Sequence, residues 1–375
     1  VHPGRLLRRR ARAQAGLLAL VGLLAALVAA TLAGTFGYVG IAAREGLTAA
    51  LRDADPQAAS LQVRTRLDDA DPAGQRAAAD EVLAATLGDL PVAVHPTARS
   101  LSLAATDADG SPLGAVVAGS DEALAERATV VEGTWPADAD PGPGAPVPAA
   151  LAADAAAVLG LAVGDEVVLA GDSRSVPLTV RVAALWQPDD PTDPAWFGDP
   201  VVLDGTDGQV AGPFLLRDAD LPSVPALVLV RWTLVPDPDA LTPAELPALR
   251  DALGGVVDVL HEDGAVNRQG VAAEGVLHAT LGSVDRALTA VRGVSTSAAL
   301  LAVLVGLVVL GQLARLLVEV RGPETALLRS RGVTVGRAAA WAAAEAAVVL
   351  GVGAAVGALG AVLALRPLGT VPPAT

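Results

Sequence analysis

Residues 319–337 read EVRGPETALLRSRGVTVGR, from Glu319 to Arg337, and this stretch decides how the rest of the chain is read. It is short, polar and rich in arginine. It lies between two apolar runs, Ala298 to Leu313 and Ala338 to Leu365. A helix that crosses a bilayer needs about 20 largely apolar residues. The two runs with their flanks therefore predict membrane spans at 294–318 and 338–365, joined by a tight loop at 319–337. Arg315, Arg321, Arg329, Arg331 and Arg337 stand in or beside that loop. Basic residues gather on the cytoplasmic side of membrane proteins, which places the loop in the cytoplasm.

Outward from the loop, a third apolar run, residues 15–41, follows a basic tail at 1–14 that carries Arg5, Arg8, Arg9, Arg10 and Arg12. The apolar core of a signal peptide is about 7–15 residues long, and this run is roughly twice that. It predicts a retained first span with the N-terminus inside. Gly34, Gly37 and Gly40 recur at three-residue spacing near its outer end. No strand precedes them and no acidic partner follows, so they read as a helix-packing face and not as a phosphate loop. The polar stretch from Arg44 to Arg52 extends this helix beyond the membrane.

The chain has 375 residues and a formal net charge of −15. Its mean hydropathy is +0.50, and only 18% of its residues are charged. Apart from Glu319, Glu324 and Glu345, every acidic residue lies between Glu45 and Asp285. A large acidic segment is thus bracketed by basic membrane flanks, which suits an extracytoplasmic domain. Phosphate backbones need a basic face, so nucleic acid is excluded as a partner. There is no cysteine, which excludes disulfides, thiolate metal sites, cysteine nucleophiles and lipid-modified cysteine. His2, His95, His261 and His278 are scattered and form no metal-binding spacing. The chain has no lysine, so the phosphate loop G-x-x-x-x-G-K-[ST] cannot be built. Neither catalysis nor a cofactor is expected of it, and no metal site.

Residues 42–293 alternate between strand-like and helix-like pieces, which predicts a mixed α/β domain. Asp71-Pro72 opens a helix over 71–87. Short strands follow at Pro91 to His95, Ser100 to Ala105, Val116 to Ala118 and Thr129 to Val131, with Asp107 to Gly110 (DADG) as a hairpin turn. Pro148 to Leu159 reads as a helix that leads through a turn into a strand ending at Leu169. Val176 to Leu185 and Pro225 to Leu234 read as further strands, Pro243 to Leu253 as a helix and Val256 to Leu260 as a short strand. Trp186, Trp196 and Phe197 fall in a stretch rich in proline and aspartate, which argues against a core role and leaves a substrate surface or an interface as their reading. From Gly264 to Arg292 the chain reads as helical again and runs into the second span. The fold class is then a membrane α-helical protein with three spans and a large mixed α/β extracytoplasmic domain inserted between the first and second. The tail at 366–375 ends outside.

Three features together resemble the FtsX-like permease family, the membrane subunits of MacB-type ABC transporters. The layout is one span, a large outer domain, then closely spaced spans. The loop resembles the pattern E-x-R-x-x-E-x-A-L-L-R-x-x-G, with Glu319, Arg321, Glu324, Ala326, Leu327, Leu328, Arg329 and Gly332 in its places. The segment LGLAVGDEVVL, with Leu159, Gly160, Gly164 and Asp165, is similar to an element of the MacB-type periplasmic core domain, and Glu132 to Asp138 (EGTWPAD) fits beside it. The resemblance departs in lacking a fourth span and a second permease copy. Pro323 inside the loop pattern is unusual, although proline is tolerated in the first turn of a helix. A truncated gene product or a partial permease is expected on these grounds.

The resemblance implies a permease subunit in the plasma membrane, with a separate cytoplasmic ABC ATPase docking on the loop and a homodimer or second permease unit completing the assembly. Glu319, Arg321, Glu324, Leu327, Leu328, Arg329, Arg331 and Gly332 are its coupling residues, on a short amphipathic helix from Pro323 to Arg331. Two other functions remain open: control of an extracellular cell-wall hydrolase, and a membrane-anchored binding domain without transport. Glu345 lies about two turns into the third span, where an ionisable group is costly and marks a polar contact. Gly353 and Gly357 form a G-x-x-x-G face suited to helix packing or dimerisation.

Overall fold

Helix α1 spans Ala15–Arg52, 38 residues dominated by alanine, leucine and glycine, with no proline to interrupt the hydrogen-bond ladder. The computed structural model describes residues 15–136, 145–172, 175–330 and 334–366. The chain divides into two units: one formed by residues up to Gly46 together with those from Arg286 onward, the other by Leu47–Asp285. Both boundaries fall inside helices.

The second unit is built on an eleven-stranded sheet. After the short helix α2 (Pro56–Ala59) come β1 (Leu61–Arg66), α3 (Pro72–Leu87), β2 (Val92–Ser100), β3 (Leu103–Asp107), β4 (Pro112–Ser120), α4 (Leu124–Arg127) and β5 (Ala128–Gly133). Then follow β6 (Val147–Ala152), α5 (Ala153–Leu159), β7 (Glu166–Ala170), β8 (Leu178–Pro188), α6 (Pro200–Leu203), β9 (Ala211–Leu215), β10 (Val228–Pro236), α7 (Leu246–Glu262) and β11 (Ala272–Glu274).

The strands run in the order β11-β1-β10-β2-β4-β3-β7-β8-β6-β9, and β9 pairs back onto β4. That last pairing, parallel, with Val116 opposite Ala211 and Gly119 opposite Leu215, closes β4-β3-β7-β8-β6-β9 into a six-stranded barrel. Of the other five strands, β5 pairs with β8, and β11-β1-β10-β2 form an antiparallel sheet that joins the barrel where β2 meets β4 at Ala98–Ser120 and Arg99–Gly119. Barrel strands show the expected two-residue alternation: Val180, Val182, Ala184 and Trp186 of β8 are all buried. On the sheet, α3 and α7 pack together. They bury Ala79, Leu83 and Leu87 on one side and Leu249, Leu253, Val256 and Leu260 on the other, apolar stripes at helical spacing.

The cap at Asp71 forms as expected, its side chain accepting from the Gly74 amide at 2.9 Å. The DADG turn also forms, with Asp107 Oδ1 accepting from the amides of Asp109 and Ser111. Three segments differ. Residues 148–152 are strand and not helix: Ala149, Ala150, Leu151 and Ala152 are buried between β8 and β9, where small side chains fit and the helix propensity of alanine is overridden. Val256 to Leu260 is helix, because its apolar positions continue the stripe of α7. A short apolar run looks the same in either state. Residues 264–276 are mostly turn, with the strand β11, and helix resumes only at Leu277.

That helix, α8 (Leu277–Ser330), runs for 54 residues, and α9 (Val335–Leu365) follows. Among the described residues, three helical segments are long and apolar enough to cross a membrane: Leu18–Arg52, Leu277–Leu316 and Ala339–Leu365. This is the signature of a multi-pass membrane protein.

Candidate functional site

The residues expected to grip a partner sit on α8. Glu319, Arg321, Glu324, Leu327, Leu328 and Arg329 lie on one continuous helix that ends at Ser330, where a loop from 319 carrying a separate short helix from Pro323 to Arg331 was expected. Glu319 is exposed and approaches Arg315 at 3.6 Å, one turn earlier. Such an exposed pair adds little stability. Arg331 and Gly332 lie outside the described residues.

In the same unit, α9 lies against α1. A Cβ on Gly353 would overlap the carbonyl oxygen of Gly22, and one on Gly357 would overlap that of Ala26. Farther along, a Cβ on Gly37 would overlap Leu365 Cδ1. The contacts 353 to 22, 357 to 26 and 365 to 37 advance together, so α1 and α9 are parallel. Small residues allow this approach, the usual basis of helix packing in lipid. Gly306 of α8 meets Val28 of α1 on another side. Glu345 is half-buried within α9.

In the α/β unit, cross-strand register assembles a group of charges that no sequence motif announces. Arg64 of β1 is opposite Arg231 of β10, and Arg231 is opposite Thr97 of β2, two residues before Arg99. Side chains two apart on a strand share a face, so Arg64, Arg231 and Arg99 stand on one side of the sheet. Like charges directly opposite repel, and carboxylates offset them. Glu274 binds Arg64 at 2.7 Å. Asp199 binds Arg99 and lies 3.6 Å from Arg231. Its other oxygen caps α6 by accepting from the Val201 amide. Burial, and then the neighbouring charge of Arg99, push the Arg231 pKa down to about 10.

Trp186, Trp196 and Phe197 form the roof of this face and are not a free surface, being 0%, 6% and 8% exposed. The rings of Trp186 and Trp196 stack with centroids 6.0 Å apart. The Arg127 guanidinium lies 4.4 Å over Trp196, a cation–π contact. The Trp196 ring nitrogen donates to the Asp190 carbonyl at 2.9 Å, which pins the proline-rich segment inward. Arg127 also binds Asp121 at 2.7 Å. Burial raises the Asp121 pKa, and Arg127 opposes that shift.

Two cavities adjoin here. A small one of about 50 Å³ is lined by Gln62, Arg99, Ser120, Asp121, Trp186, Asp199, Arg231 and Thr233, among others. A larger cleft of about 360 Å³ shares Asp121 and Leu215 with it and carries Glu122, Trp135, Arg217 and Asp218. Sequence reading missed Arg64, Arg99, Arg127, Arg231 and Asp199. The available signal was an arginine at position 231 inside the otherwise apolar strand VLVRWTLV.

The segment LGLAVGDEV turns α5 into β7. Gly160 ends α5 at φ 70° and Gly164 has φ 99°, conformations that favour glycine. The Gly164 amide donates to the Val182 carbonyl at 2.8 Å, and the Asp165 side chain accepts from the Ala162 amide at 2.8 Å.

No family model matches the chain, and no curated protein matches it. Among solved structures it is similar to a domain of a Porphyromonas gingivalis protein described as a candidate permease. The identity is 12%, 59% of this chain and 90% of that chain are covered, and the TM-score is 0.28.

Proposed function

We propose that the chain is the permease subunit of an ABC-type transporter, in which movement of a separate cytoplasmic ATPase passes along the membrane helices to an extracytoplasmic α/β unit. The observation that supports this best is the continuity of α8. Its first turns belong to the α/β unit: Leu277 and Leu281 are buried there, and Asp285 binds Arg250 at 3.0 Å. Its middle is long and apolar enough to span a bilayer. Its end carries the segment from Glu319 to Ser330 that resembles the coupling motif of FtsX-like permeases. A helix without a break transmits displacement where a loop would absorb it. In this reading the N-terminus and the 319–337 segment face the cytoplasm, and the α/β unit, inserted between the first and second spans, faces outward. Leu327 and Leu328 pack on the ATPase, while Glu324, Arg329 and Arg331 pair with it. A homodimer or a second permease unit completes the transport path.

The test is co-expression with an ABC ATPase encoded beside this chain, followed by co-purification and ATPase assay in proteoliposomes. Leu327→Ala and Glu324→Ala should cut permease-dependent ATPase stimulation at least tenfold while membrane insertion persists. Stimulation equal to wild type in both variants would sink the docking role.

A further inference from the structure

Four consecutive residues, 196–199, each meet a different part of the α/β unit. Trp196 stacks on Trp186 of barrel strand β8. Phe197 meets Gly275, since a Cβ on that glycine would stand 3.2 Å from Phe197 Cε2. Gly198 meets α2, since a Cβ on it would stand 3.6 Å from Pro56 Cβ. Asp199 binds Arg99 of β2 and lies 3.6 Å from Arg231 of β10. The two middle contacts fall at the roots of α1 and α8. Pro56 opens α2 soon after α1 ends at Arg52, and Gly275 comes just before α8 begins at Leu277. The roots are tied to each other, because the Val276 amide donates to the Gln57 carbonyl at 2.9 Å. Gly275 is wedged there: its φ is 107°, and a Cβ would also lie 2.8 Å from the Ser60 carbonyl oxygen. The two outer contacts fall on either side of the seam where sheet meets barrel.

The segment that carries these residues has little slack. Pro191, Pro194 and Pro200 each fix φ. Asp193 accepts from the Ala195 amide at 2.8 Å, Trp196 Nε1 donates to the Asp190 carbonyl at 2.9 Å, and the Asp199 amide donates to the Trp196 carbonyl at 3.1 Å. The segment is also strained. Among the described residues, Phe197 is the one non-glycine with a positive φ, at 58°. A bulky side chain is an outlier in that region, and such backbone persists only where its surroundings hold it.

We propose that residues 196–199 form a strained clip that couples the roots of α1 and α8 to the seam between sheet and barrel. With the roots in place, Pro56 and Gly275 hold Phe197 in its left-handed conformation. That geometry sets Trp196 on the barrel and Asp199 on the sheet. Displacing either root frees Phe197 to return to ordinary backbone, which draws Trp196 and Asp199 off their partners and loosens the seam. The seam is short enough to respond: β2 and β4 pair only at Ala98 with Ser120 and Arg99 with Gly119. Coupling between distant sites is carried by an element with two arrangements that both sites bias, and a residue held under strain supplies one. The clip lies wholly within the α/β unit and stands whether or not an ATPase docks on the chain.

The test is hydrogen exchange of the full chain in detergent micelles, read amide by amide by mass spectrometry. One reporter is the Ala118 amide, which donates to Ser100 Oγ at 2.9 Å across the seam. The other is the Val276 amide at the roots. Phe197→Gly removes the ring from Gly275 and adds no strain, because glycine adopts a positive φ freely. It should speed exchange at Ala118 by about tenfold or more through local opening. Asp199→Asn keeps an oxygen to cap α6 and drops the charge that Arg99 holds. It should speed exchange at Val276 by about tenfold or more. The Gly164 and Val182 amides, which donate to the carbonyls of Val182 and Asp165 at 2.8 and 2.9 Å within the barrel, should change by less than about twofold in both variants. Exchange that quickens only beside the substituted residue in either variant, or at all four amides alike, overturns the proposal.

Discussion

Gly357 of α9 faces the backbone carbonyl of Ala26 in α1 with no room between them for a methyl group. One turn earlier, Gly353 stands in the same relation to Gly22, with Ala25 Cβ 3.2 Å from where its own Cβ would be. The seam depends on the absence of side chains at these two positions.

Valine at position 353 or 357 should therefore separate α9 from α1. Overpacking a close interface costs about 1–3 kcal/mol, and the loss should appear as a lower Tm in detergent. Gly351→Ala and Gly360→Ala on the same helix meet nothing within 4 Å and should leave Tm unchanged or slightly raised. Equal effects at all four positions would mean that helix propensity, and not the seam, sets the response.

Trp186→Ala should destabilise the α/β unit by about 3–5 kcal/mol, the usual range for truncating a fully buried aromatic ring. It removes the partner of Trp196 and the wall of the small cavity together. Trp186→Phe, which keeps a ring in the stack, should cost less. Urea midpoints of the two variants measure the difference.

Asp199→Ala should be costly in a different way. It leaves Arg99 and Arg231 without their carboxylate on a covered face and uncaps α6. Removing one partner from a buried ion pair costs about 3–5 kcal/mol. A double-mutant cycle with Arg99→Ala should return a coupling energy on the order of 0.5–3 kcal/mol, and additive losses would show that the two side chains act independently.

His95 makes stability fall with acid. Burial first, and the charge of Arg127 second, hold its pKa below the ordinary 6.5, with Asp193 opposing. The folded state keeps the ring neutral while the unfolded state protonates it near 6.5. Its contribution is thus complete above that pH and is lost as pH falls through the lowered folded value. His95→Gln should flatten the dependence of the urea midpoint on pH below about 6.5. An unchanged slope would assign the acid sensitivity to other groups.

The membrane helices were legible because their apolar runs are longer than any soluble element needs, and the helix start at Asp71 and the turns at Asp107 and Gly160 because their chemistry is local. The strand Val147–Ala152 was not. Its alanines favour a helix in isolation, and only the strands on either side make it extended. The same holds for Val256 to Leu260, whose identity depends on the stripe begun at Leu246. The arginine face was hidden for a further reason: Arg64, Arg99 and Arg231 are far apart in sequence, and only the pairing register of β1, β10 and β2 sets them side by side. Trp186, Trp196 and Phe197 misled because proline and aspartate around them suggest exposure, whereas the Trp196 bond to the Asp190 carbonyl turns the segment inward.

The closure of β9 onto β4 has a consequence for how other molecules meet the α/β unit. A barrel has no open rim of unpaired amides and carbonyls, and such rims are where a foreign chain adds itself as an extra strand. Among the described residues the rims left over are β11, three residues long, β5, six residues long and bearing Glu132, and residues 92–97 of β2, which meets β4 only at Ala98 and Arg99. A visiting polypeptide finds no backbone to zip onto in the closed ring of the barrel. Recognition of the barrel has to go through side chains and clefts, and the same closure guards it against sticking to copies of itself.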